Sequence, residues 1–106
     1  MDIYGPSENK NYLNHLISSI NKDDRIKIFK PIYNTQLKFK TFEKYDFMIL
    51  PTYSENFGFI VLESLARGLP VLTTKNTPWD QIKKKNSGWI SSNSINSLAV
   101  ILKKIF

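Results

Sequence analysis

Two glutamates punctuate the stretch PTYSENFGFIVLESLARGLPVLTT, residues 51–74. Glu55 precedes an apolar, helix-like run and Glu63 falls within it, with seven residues between them. An ionised carboxylate only accepts hydrogen bonds, so it suits a ligand rich in hydroxyls, such as a sugar or a ribose. Gly58 stands about where the helix should begin. The backbone N–H groups of Asn56, Phe57, Gly58 and Phe59 are then the unpaired donors of a helix N-terminus, a natural anion site. Gly58 also lets a ligand approach the backbone closely, because it has no side chain. The same residues have a plainer use. Glu63 and Arg67 are four apart in the favourable order for a helix-surface ion pair, worth about 0.2–0.5 kcal/mol. Glu55 could merely complement the helix dipole. Spacing alone leaves both uses open.

The elements around this stretch decide where the two glutamates would point. "DIY" followed by Gly5-Pro6 reads as a short strand and a turn. Residues 8–21 place Leu13, Leu16, Ile17 and Ile20 at helical spacing, with His15 on the opposite, polar face. "RIKIFK", residues 25–30, alternates as a strand does, and Pro31 ends it. "NTQLKFKTFEKY" reads as a second helix capped by Asn34 or Thr35. "DFMILP", residues 46–51, is a continuous apolar run of the kind that suits a strand covered on both faces. A third helix spans residues 58–67, with Gly68 and Pro70 as stop signals. "PVLTT" is the next buried strand. "TPWDQIKKKN" has the pattern of a helix start, with Thr77 as cap, Pro78 at the first helical position and Asp80 completing a capping box. "SGWI" is a last short strand and "SINSLAVILKKIF" a closing helix. Strand and helix alternate five times, the signature of an α/β domain with a parallel sheet. Such domains bind ligands at the carboxyl ends of their strands, and the quoted stretch leaves one such end.

Composition narrows the function classes. A chain of 106 residues that is 42% hydrophobic can build one domain with a core. It has no cysteine, which excludes disulfides and thiolate catalysis. No apolar run spans a membrane and the first residues are no signal peptide, so a cytoplasmic location is expected. The net charge of +6 is uneven: residues 1–63 carry eight basic and eight acidic side chains, residues 64–106 seven basic and one acidic. That positive third, with Trp79 and Trp89, raises the alternative of a nucleic-acid-binding module. Both Trp residues fall among predicted buried turns and no recognition motif is present, so no nucleic-acid partner is expected.

The stretch P-T-x-S-E-N-F-G-F-x-V-L-E-S-L-A-R-G-L-P-V-L-T-T closely resembles the E-x7-E motif of retaining glycosyltransferases of the family 4, or glycosyl transferases group 1, type. These enzymes have the GT-B fold, two Rossmann-like domains facing across a cleft. The resemblance extends through "DIYGP", "IKIFKPI", "YDFMILP", "TPWDQI" and "SGWI" in the expected order, and covers nearly the whole chain as the C-terminal, donor-binding domain. It implies that Glu55 meets donor-sugar hydroxyls beside the reacting centre. It further implies that the amides of Asn56, Phe57, Gly58 and Phe59 hold the sugar and approach the phosphate, and that Glu63 binds the ribose. The nucleobase would rest on Lys30, Pro31 and Ile32, although this family often has a glycine where the Lys30-Pro31 pair stands. The substrate implied is a nucleoside-diphosphate sugar, such as a UDP- or GDP-sugar, transferred to a glycan or lipid-linked acceptor. No cofactor or metal is implied. No DxD motif is present, and "KDDR" at residues 22–25 reads as a polar loop.

Against the family pattern, the chain lacks a first strand–helix unit bearing an Arg and a Lys for the diphosphate, and the N-terminal acceptor domain. The expectation is one Rossmann-like domain, residues 1–106, inactive by itself and completed by the acceptor domain or a partner chain. Association of the full enzyme with the inner face of a membrane is compatible with the resemblance. A catalytically silent interaction domain of the same fold is the alternative. With the family's first strand absent, the five strands are expected to close into one sheet of order 2-1-3-4-5, "DIY" pairing with "DFMILP" and Ile3 packing against Met48 and Leu50.

Overall fold

The computed structural model describes residues 1–106, which form five strands alternating with five helices. The chain divides into two compact units, residues 1–38 and 39–106.

In the first unit, β1 (Asp2–Tyr4) pairs in parallel with β2 (Lys27–Phe29), Ile3 opposite Ile28. The Tyr4 and Phe29 rings stack with centroids 5.0 Å apart. The crossover helix α1 (Lys10–Ile20) begins where the Asn9 side chain accepts the Tyr12 N–H, and ends on Asn21 in the left-handed region, φ 47°. His15 is exposed on that helix. α2 (Thr35–Phe42) starts with Asn34, whose side chain accepts the Leu37 N–H, which makes Asn34 rather than Thr35 the cap. No side chain in residues 1–38 is fully buried.

The second unit holds the core. β3 (Met48–Leu50), β4 (Val71–Thr74) and β5 (Gly88–Ser91) form a parallel sheet with β4 in the middle. All four residues of β4 are buried, whereas β3 is only half-buried. The doubly covered strand is therefore β4, not the "DFMILP" run. Val61 of α3 (Phe59–Ala66), Val71 and Ile82 of α4 (Gln81–Lys84) make the core cluster, with Met48, Leu50, Ile60, Leu65 and Trp79 against it. Full burial of such side chains stabilises by about 1.5–3 kcal/mol each. Phe47 meets Trp89 edge-on at 5.9 Å and also Phe106, just beyond α5 (Ile95–Ile105). Gly68 ends α3 at φ +73°, with Leu69 N–H bonded to Ser64 O and Gly68 N–H to Leu65 O. Those two bonds are the Schellman pattern, placed where the stop signal was read.

The single five-stranded sheet does not form. The strands are all parallel, but they make a sheet of two and a sheet of three, and no ladder joins β1 to β3 as the 2-1-3-4-5 order requires. Strand merging is driven by apolar faces that need covering. β2 is exposed along its length and β1 is at most half-buried, so the first pair carries little of that drive. The pattern Thr77-Pro78-x-Asp80 likewise does not open a helix at Thr77. α4 starts at Gln81, and the Thr77 hydroxyl donates to Thr74 O instead.

Candidate functional site

Parallel strands end on one edge of their sheet, so the loops following β3, β4 and β5 leave the second unit from the same side. Buried threonines at the end of β4 tie these loops together. Thr73 Oγ1 donates to Leu50 O at 3.1 Å and Thr74 Oγ1 donates to Thr52 O. Thr52 O also accepts from Asn93 Nδ2, in the loop after β5, at 3.3 Å. A hydroxyl inside the sheet thus fixes the first residues of the loop carrying Glu55.

The loop then turns into α3 through Gly58, at φ 73° and ψ 64°. Few L-residues occupy that region without strain. A Cβ at Gly58 would lie 3.4 Å from Trp79 Nε1 and 3.7 Å from Glu55 Cγ. Glu55 and Trp79 therefore flank the turn. No side chain caps α3, and Val61 N–H folds back onto Gly58 O at 2.9 Å. The amides of Asn56, Phe57, Gly58 and Phe59 donate to no group of the chain. The turn thus presents several backbone donors beside a half-buried Glu55, with Asn56, Phe57 and Phe59 exposed and Gly58 half-buried. That set can hold an oxygen-rich anion together with hydroxyls.

Glu63 sits half-buried in the second turn of α3. The Arg67 guanidinium, just past the end of that helix, lies 3.9 Å from the centroid of the Phe39 ring. The structure places Glu55, Asn56, Phe57, Gly58, Phe59 and Glu63 on one loop–helix segment. Lys30, Pro31 and Ile32 follow β2 in the first unit, Lys30 exposed and the other two half-buried. An open hollow of about 360 Å³ in that unit, lined by Ile17, Ile20, Ile26 and Ile28 with Lys22, Asp23 and Asp24, includes none of the candidate residues.

Residues that spacing alone did not mark hold this turn from outside. Glu55 N–H donates to Asn76 O at 3.2 Å, and the Trp79 indole N–H donates to Phe57 O at 2.5 Å. The Phe57 ring packs between Phe59 and Trp79, with centroids 4.8 and 5.2 Å away. A tryptophan N–H needs a partner when its ring packs into a core, and that was the available signal in "TPWDQI". The helix-start pattern there pointed to local capping instead. In the "KDDR" loop, Arg25 grips Asp23 through two side-chain bonds, at 2.9 and 2.6 Å, and one backbone bond at 3.0 Å. These hold the Asp23 carboxyl down to about 2.

The family model for glycosyl transferases group 1 matches residues 1–106. A curated relative, the D-inositol 3-phosphate glycosyltransferase of Arthrobacter sp. (strain FB24), is 36% identical over 63 residues. That match takes in 59% of this chain and 15% of the relative, so the chain spans a small part of the curated protein that it resembles.

Proposed function

The chain belongs to the glycosyl transferases group 1 family, and we propose that it forms the nucleotide-sugar-binding part of a GT-B enzyme of that family. The observation that carries this reading is the turn at Gly58. Its left-handed backbone exposes the amides of Asn56 to Phe59 at the carboxyl edge of a parallel sheet, between Glu55 and Glu63 of the E-x7-E segment. In this reading the amides hold the donor sugar and approach the diphosphate, where developing negative charge on the leaving group needs donors fixed in advance. Glu55 accepts from the sugar hydroxyls beside the reacting carbon. Glu63 accepts from the ribose. Sugar transfer to an acceptor takes place in the complete enzyme, with the acceptor held by a further domain or partner chain.

Affinity should be modest. The segment from Pro51 to Ala66 has no basic side chain, so the diphosphate meets amide dipoles and no full positive charge there. An amide bond to phosphate already has a charged acceptor, but a Lys or Arg would add direct charge–charge attraction that the amides do not supply. Calorimetric titration with UDP-glucose, GDP-mannose and ADP-glucose tests the reading. The expected result is saturable binding of at least one of them, weaker than micromolar, that Glu63→Ala abolishes. Absence of binding by all three at millimolar concentration, or binding unaffected by Glu63→Ala, overturns it.

A further inference from the structure

The geometry points to Trp79 as a positioning residue that aims the Gly58 amide at the ligand. The inference rests on the donor-binding reading for the identity of that ligand, but the clamp itself stands on the hydrogen bonds. One turn, between β4 and α4, grips the Glu55 loop at two points two residues apart. Asn76 O takes the Glu55 N–H, and the Trp79 indole N–H reaches Phe57 O. The second bond has a directional consequence. The peptide unit joining Phe57 to Gly58 is trans, like every other in the chain. In a trans peptide the C=O and N–H point in opposite directions within one plane. With the Phe57 carbonyl held toward Trp79, the Gly58 N–H must face away from it.

A glycine at φ +73° could otherwise let this peptide plane rotate, because glycine has access to most of the conformational map. Trp79 removes that freedom. Its ring packs against the Val61–Val71–Ile82 cluster, so the indole has an anchor in the core of the unit besides its contacts with the loop it restrains. Phe57 closes against the same ring at 5.2 Å. The delayed start of α4 fits this use. Trp79 lies outside the helix, and its backbone carbonyl accepts the Ile82 N–H while its side chain reaches the neighbouring loop.

The test replaces Trp79 by β-(3-benzothienyl)alanine, which keeps the ring shape and loses the N–H donor, and separately by Phe. In the ligand-free protein, backbone ¹⁵N relaxation of residues 56–59 is expected to show markedly lower order in both variants than in wild type. The urea midpoint of the benzothienyl variant should stay close to wild type. With UDP-glucose as probe, the Trp79 indole resonance should shift on binding while that of Trp89 does not, and the dissociation constant should rise about tenfold in the benzothienyl variant, as loss of one well-aimed donor predicts. Unchanged order in residues 56–59 of both variants overturns the clamp, whether or not a ligand binds. Lost order with an unchanged dissociation constant overturns the positioning role. Lost order in a protein whose wild type binds no sugar nucleotide supports the clamp and counts against the donor-binding reading instead.

Discussion

Gly58 and Gly68 share a φ of +73° at the two ends of α3, and replacing each by alanine separates backbone strain from ligand contact. An L-residue in the left-handed region costs about 1–2 kcal/mol. Around Gly68 an added Cβ meets nothing within 4 Å. At Gly58 it would lie 3.4 Å from Trp79 Nε1, 3.6 Å from Val61 Cγ2 and 3.7 Å from Glu55 Cγ. These are contacts, not overlaps, so strain and not collision sets the cost at both positions. Each variant is expected to lose about 1–2 kcal/mol in urea denaturation followed by tryptophan fluorescence, a loss that a domain with about 5–15 kcal/mol survives. Function should part them. The Gly58→Ala methyl stands beside Glu55 in the proposed donor turn, and binding of UDP-glucose, or of whichever sugar nucleotide the protein takes, should weaken by about fivefold or more, the equivalent of about 1 kcal/mol. Gly68→Ala should bind as wild type does. The reasoning fails if Gly58→Ala costs more than about 3 kcal/mol, since collision would then exceed strain. It fails equally if the two variants bind alike.

Gly88→Ala is the opposite case: its Cβ would fall 2.0 Å from Val71 O and 2.8 Å from Val71 N, backbone of the central strand that cannot step aside. Overpacking of about 1–3 kcal/mol adds to the left-handed penalty at φ +155°, so chemical denaturation should show a loss of about 3 kcal/mol or more, or no folded protein. Ser64→Ala removes the buried hydroxyl that donates to Leu69 O at 2.9 Å and should cost about 1–3 kcal/mol in the same assay. A loss below about 0.5 kcal/mol would mean that water replaces the bond. For Asp23, the folded carboxyl titrates at about 2, below its ordinary 3.8, chiefly through the Arg25 side chain and next through the Arg25 backbone N–H. The pair's contribution is therefore complete above pH 3.8 and is lost as pH falls through about 2. A ¹³C-detected titration should find Asp23 low in wild type and raised by Arg25→Ala, but not fully restored, because the backbone bond remains.

Local signals carried the elements and failed where two distant segments compete for the same groups. Gly68 was legible because helices commonly end on a left-handed residue and glycine marks it, whereas Gly58 was placed at the helix start for its missing side chain and its left-handed backbone was not read. The buried "PVLTT" run was legible because every residue of β4 needs cover on both faces. Strand order was not, because ladder bonds are made by backbone that is alike in every strand. Apolar content says which face is covered and leaves the neighbour open. "DIY" and "DFMILP" satisfied the requirement for parallel strands equally well whether joined or apart. The start of α4 was misplaced for a related reason. Thr77, Pro78 and Asp80 obey the capping pattern, yet Thr77 spends its hydroxyl on Thr74 O and the Trp79 indole crosses to Phe57 O. The first bond is a local alternative to capping, and the second reaches a distant segment, the peptide beside Gly58. The same feature explains why the segment from Glu55 to Glu63 was legible as one stretch of sequence and the bonds that hold it were not. The acidic residues and the glycine lie on one continuous segment, whereas Asn76 and Trp79 follow a different strand and meet that segment only once β3 and β4 are paired in register, Met48 beside Val71. A one-residue slip in that ladder would turn the buried threonine hydroxyls to the other face. The register of a three-residue ladder, not the local sequence, therefore determines whether Asn76 and Trp79 meet the turn that carries the amides of Asn56 to Phe59.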